Sequence, residues 1–114
     1  MLPLIVGHAN ALDLLLSARK VTSDEAMRMG LVNRVYPADT LLENTMAYVR
    51  DLVDYVSPRA MAVIKRQLYE VPFQTLAEAV TYANHEMALS IRSEDFREGV
   101  AHFVERRPPR FSGK

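Results

Sequence analysis

The chain has 114 residues, enough for one domain that buries roughly two-thirds of the surface its unfolded form exposes. Fourteen basic residues balance fourteen acidic ones, and a zero net charge argues against a nucleic-acid footprint or a polybasic membrane patch. Asp13 interrupts the most apolar stretch, Ala9 to Leu16, well short of the ~18 apolar residues of a membrane span. No charged segment precedes an apolar one at the N-terminus, and no cysteine is present; a cytoplasmic protein without disulfides is expected.

Helix starts punctuate the chain. Thr22 and Glu25 have capping-box spacing and open a helix of about two turns, which Gly30 ends as a left-handed stop. Leu31 to Tyr36 carries Val32 and Val35 and runs into Pro37, which predicts the one strand. Thr40 and Glu43 form a second box, before a helical face of Leu41, Thr45, Tyr48, Val49, Leu52 and Val56. Ser57-Pro58 starts the next helix, with Ala60, Val63, Ile64, Leu68 and Val71 on one side and Pro72 as its close. Thr75 and Glu78 open a helix reaching about Arg92, marked by Leu76, Ala79, Val80, Ala83, Met87 and Ile91.

Ser93 caps a last helix, with Glu94 and Asp95 in the first turn, where the helix dipole favours negative charge. Its apolar stripe is Phe96, Val100, Phe103 and Val104; Arg106 and Arg107 fall in the last turn, before the stop at Pro108-Pro109. The sum is a mainly α protein of about six helices and one short strand, Leu31 to Tyr36. A lone strand needs a pairing partner. Arg19 to Val21 is a weak candidate; otherwise the strand is an exposed edge, or its partners lie outside this chain.

Few residues invite chemistry. His8, His85 and His102 form no i, i+4 pair and have no carboxylate triad, so they read as structural or surface residues. The paired carboxylates Asp24-Glu25 and Glu94-Asp95 both sit at helix starts, where capping explains them. Gly7, Gly30, Gly99 and Gly113 are isolated, so no Gly-Gly run presents paired backbone N–H groups to a developing oxyanion. No catalytic residue is assigned.

The C-terminal string of Asp95, Glu98, Gly99, Phe103, Glu105, Arg107, Pro109 and Phe111, in the order D-x-x-E-G-x-x-x-F-x-E-x-R-x-P-x-F, resembles the C-terminal signature of the enoyl-CoA hydratase/isomerase (crotonase) family. Three further pieces are similar to family segments in the right order. These are Leu2 to Gly7 (L-P-L-I-V-G), Ala11 to Tyr36, and Ser57-Pro58 followed by Ala60 and Lys65. Leu4 stands where the family commonly has arginine, Ala18 where it has glycine, and His102 where it has a small residue.

The resemblance implies that residues 1–36 end the core α/β spiral and residues 37–114 form a C-terminal helical oligomerisation segment, within a single region. It implies no catalytic residue and no metal or redox cofactor in this chain. It places Phe103 and Arg106 where an aromatic ring and a cation meet the adenine-ribose-phosphate end of a coenzyme A thioester. The rival for that pair is a core phenylalanine beside a solvated helix-end charge. The implied parent reaction is hydration or isomerisation of an enoyl-CoA in fatty acid metabolism, with oxyanion-hole amides and catalytic carboxylates upstream of Leu2. Implied partners are further copies in a trimer or dimer, or a missing N-terminal core, with acyl-CoA bound weakly at most. The alternative is a stand-alone, non-catalytic helical interaction module derived from that family.

Overall fold

A computed structural model describes residues 1–114 as seven α-helices: α1 Leu2–Val6, α2 His8–Ser17, α3 Ser23–Arg28, α4 Leu41–Tyr55, α5 Pro58–Glu70, α6 Leu76–Ile91 and α7 Glu94–Glu105. A 3-10 turn, Val71–Phe73, follows α5, with Pro72 in its first positions. The chain divides into two compact units, Met1–Thr45 and Met46–Lys114, and α4 carries the backbone from one to the other.

The first unit is built on α1, α2 and α3. Gly7 takes φ 79°, a conformation that lets the backbone turn between α1 and α2 without a Cβ clash. Val6, Ala11 and Ala26 are its buried apolar residues. The Arg19 guanidinium forks between two carboxylates, with Nη2 at 2.8 Å from Asp13 and 2.6 Å from Glu25, and so ties α2 to the start of α3. At the end of α2, Ala18 adopts φ 49°, ψ 25°. That left-handed conformation explains why glycine suits the position better than alanine.

The expected strand at Leu31 to Tyr36 does not form; the structure contains no strand. The reason lies in the helix stop just before it. Gly30 at φ 78° completes a Schellman ending, its N–H donating to Met27 O at 3.1 Å and the Leu31 N–H to Ala26 O at 2.8 Å. The Val32 N–H also turns back to Ala26 O, at 3.4 Å. Two of the donors that a strand would have offered to a sheet therefore close α3 instead.

In the second unit α5 and α6 form an antiparallel hairpin across Val71–Gln74. Arg59, near the start of α5, donates to Ser90 Oγ and pairs with Glu86 at 3.3 Å, near the end of α6; one turn-pair further on, Arg66 reaches the Tyr82 hydroxyl at 3.3 Å. The three helix starts follow the expected chemistry. Ser57 accepts from the Ala60 N–H, Ser93 from the Phe96 N–H, and Thr75 with Glu78 makes the full reciprocal box. Thr22 accepts from the Glu25 N–H in the same way, whereas the Thr40 hydroxyl donates to Pro37 O at 3.5 Å.

Burial is far lower than the length implies. Accessible surface totals 9079 Å². A compact protein of 12.9 kDa shows about 6,300 Å², leaving an excess of about 2,800 Å², and only about half of the unfolded surface is covered instead of the expected two-thirds. No residue of α4 or α5 is buried. Leu68, Phe73, Leu76, Phe103 and Val104 all stand mostly in water. No helix is long and apolar enough to cross a membrane.

Candidate functional site

The end of α7 and the residues after it form one construction. The helix closes at Glu105, because Arg106 takes φ 53°, ψ 42°. The Arg106 and Arg107 N–H groups both return to His102 O, the latter at 3.2 Å. Arg106 and Arg107 thus lie past the helix, not in its last turn, and the stop precedes Pro108 by two residues. From there Arg107 to Lys114 runs back along α7 as a strap.

Two carboxylates on successive turns of α7 hold that strap. Asp95 is only 4% exposed. One of its oxygens accepts the Ser112 N–H at 2.7 Å and the Gly113 N–H at 3.0 Å; the other accepts the Ser57 hydroxyl. The Asp95 N–H donates in turn to Lys114 O at 3.0 Å. Burial pushes the Asp95 carboxyl up, but the Ser57 hydroxyl and the Gly113, Ser112 and Arg59 N–H groups outweigh it and hold it below its ordinary value.

Glu98 takes a bidentate grip on Arg107, with Oε2 at 2.8 Å from Nη2, and also accepts the Arg110 N–H at 2.6 Å. The Arg107 hydrogen bonds, the Arg110 N–H and the charges of Arg107 and His102 lower the Glu98 carboxyl to about 2 despite partial burial. Arg107 Nε donates to Glu105 at 2.6 Å. Gly99 lies beside the Phe111 ring, and a Cβ there would meet its Cε1 at 3.9 Å, an ordinary van der Waals contact. His102 meets that ring edge-on, with centroids 6.0 Å apart, and its Nδ1 lies 3.3 Å from Arg107 O. A carbonyl only accepts, so this contact requires a hydrogen on Nδ1. The large side chain at 102 is accommodated as packing for the strap.

Sequence reasoning assigned Asp95 to the helix dipole and Arg107 to a helix end, and so missed this latch. Asp95 and Glu98 at i, i+3, followed by Arg107 and Phe111, were its available signal.

Phe103 and Arg106 are brought together. Both border an open concavity of about 490 Å³ at the end of α7, shared with His102, Val104 and Arg107. Phe103 is 80% exposed, so these 114 residues build no core around it. Arg106 is exposed and has no carboxylate partner, in contrast to Arg107 beside it, which has two. His8 and His85 are exposed and distant in sequence from this concavity.

Three other concavities lie in the second unit, among them an open one of about 520 Å³ on α6 beside Ala77, Thr81 and His85. A second, of about 350 Å³, is lined by Ser57, Arg59, Ser90, Asp95, Phe96 and Phe111 under the strap. The third, of about 320 Å³, lies between α5 and α6 beside Leu68, Val71 and Gln74. Gln74 Oε1 is buried there without a protein partner.

Comparison with known proteins places this architecture. The family model described as enoyl-CoA hydratase/isomerase matches residues 1–114. A probable enoyl-CoA hydratase of Mycobacterium tuberculosis is 35% identical over 107 residues, covering 94% of this chain and 41% of the relative. The peroxisomal Delta(3,5)-Delta(2,4)-dienoyl-CoA isomerase of Arabidopsis thaliana is 31% identical over 111 residues, 97% of this chain and 40% of its own length. Among solved structures, a probable enoyl-CoA hydratase/isomerase from Mycobacterium abscessus superposes with a TM-score of 0.93 at 31% identity, over 99% of this chain and 44% of that one. The chain therefore spans about two-fifths of the length of the relatives it matches. With every helix of the match in place from Leu2 to the strap, the chain belongs to the enoyl-CoA hydratase/isomerase family.

Proposed function

We propose that residues 1–114 act as the C-terminal, oligomer-forming and CoA-contacting part of an enoyl-CoA hydratase/isomerase family enzyme of acyl-CoA metabolism. Phe103 and Arg106 receive the nucleotide end of the CoA thioester. The observation that carries this reading is the unpaired Arg106 guanidinium beside an exposed Phe103 ring on one concavity, next to an Arg107 fully engaged by carboxylates. An aromatic face stacks on a purine, and a guanidinium pairs with a phosphate through two parallel hydrogen bonds. The relatives named above are a hydratase and an isomerase of CoA thioesters, which supports that ligand class.

On this reading, transition-state stabilisation at the thioester belongs to polypeptide outside these 114 residues, since the chain carries no adjacent glycines for an oxyanion loop. The exposed apolar faces of α5, α6 and α7 are covered by further copies of the chain, as a trimer or dimer. The test is titration with CoA and with dephospho-CoA, which lacks the 3′-phosphate. Wild type binds CoA the more tightly, by about tenfold or more for a charge-assisted phosphate pair, and Arg106→Gln removes that preference. Equal binding of the two ligands by wild type overturns the site.

A further inference from the structure

We infer that Glu98, which faces away from the ligand concavity into the strap, is a positioning residue for the Arg106 cation. The inference rests on the CoA reading above and deepens it. Two arginines lie next to each other beside the concavity, and a phosphate attracts both. The structure sorts them. Glu98 takes both terminal nitrogens of Arg107, Glu105 takes its Nε at 2.6 Å, and Pro108 O accepts a further N–H at 3.1 Å. Arg107 is left with little donor capacity and with its charge offset, so the anion meets Arg106.

The same grip fixes the backbone from which Arg106 projects. A non-glycine residue held at φ 53° relaxes toward negative φ unless its surroundings hold it. Here the reversal is held on both sides. His102 O accepts the N–H of Arg106 and of Arg107, and Glu98 accepts the Arg110 N–H three residues further on at 2.6 Å. With the Glu98–Arg107 fork broken, the strap lifts between 107 and 110, Arg106 leaves its left-handed conformation, and Arg107 becomes free to compete for the anion. The site then attracts phosphates in general without discriminating among them.

The experiment measures the ratio of CoA to dephospho-CoA affinity for wild type, Glu98→Gln and Arg107→Gln, with helix content followed by circular dichroism. Both variants break the same fork from opposite sides and leave Arg106 intact, so one remains informative should the other misfold. Expected is a wild-type ratio of about tenfold falling to within about twofold in each folded variant, with Arg107→Lys in between because it keeps one ion pair. In Glu98→Gln, where the freed Arg107 attracts the remaining phosphates, overall affinity for CoA falls less than the ratio does, a pattern that simple loss of folded protein does not produce. A tenfold wild-type ratio that survives in either folded variant overturns the role of Glu98 and leaves the Arg106 site standing. A wild-type ratio near one overturns both.

Discussion

Replacing Asp95 separates the latch from ordinary helix capping. In the structure one Asp95 oxygen holds the Ser112 and Gly113 N–H groups and the other holds the Ser57 hydroxyl. Asp95→Asn keeps a carbonyl for the two amides and places an NH2 against Ser57. That hydroxyl still has a lone pair free besides the one used by the Ala60 N–H, so it can turn and accept. The loss is one charge-assisted bond exchanged for a neutral one, about 1 kcal/mol. Asp95→Ala removes all three acceptor contacts. Bonds to a charged group are individually worth about 1.5–3 kcal/mol, but Ser112 is exposed and water partly replaces its partner, so the expected total is about 3 kcal/mol. Chemical denaturation gives the two values, and amide hydrogen exchange at Ser112 and Gly113 shows where they act. If Asp95→Ala leaves that exchange unchanged and costs less than the asparagine variant, the carboxylate does not hold the strap.

Three other outcomes follow from the same geometry. Ala18→Gly stabilises the first unit by about 1 kcal/mol in thermal or chemical melts, because glycine relieves the left-handed backbone at φ 49°. Phe103→Ala leaves helix content and melting close to wild type while weakening CoA binding, since the ring is mostly in water. Glu98 has its carboxyl lowered from 4.5 to about 2 in the folded chain; its contribution is therefore fully present above about pH 4.5 and is lost as pH falls through 2. Exchange protection at the Arg110 N–H is expected to persist at pH 5 and disappear across that acid window.

The helix starts were legible because each is written in three or four neighbouring residues: Ser57, Thr75 and Ser93 all accept the N–H their spacing promised. The strand at Leu31 to Tyr36 was misread because its alternation ignores Gly30, whose turn commits the Leu31 and Val32 donors to Ala26 O. α1 is only five residues long, too short for apolar spacing to announce it, though Pro3 suits its first turn. The latch was hidden for a different reason. Asp95 meets Ser57 across 38 positions and Gly113 across 18, and a carboxylate that also fits a helix dipole gives no sign of a distant partner. Phe103 and Arg106 were singled out through resemblance alone; the residues themselves left Phe103 suited to a core, which these 114 residues do not build around it.

An excess of about 2,800 Å² of accessible surface is more than each partner contributes to a standard-sized interface, about 800 Å². On the proposed reading, the apolar faces of α5, α6 and α7 are covered by further copies of the chain. Size-exclusion chromatography coupled to light scattering, on the chain at about 50 μM, tests this without any ligand. A mass two or three times 12.9 kDa is the expected result. A single, symmetric species at 12.9 kDa contradicts it.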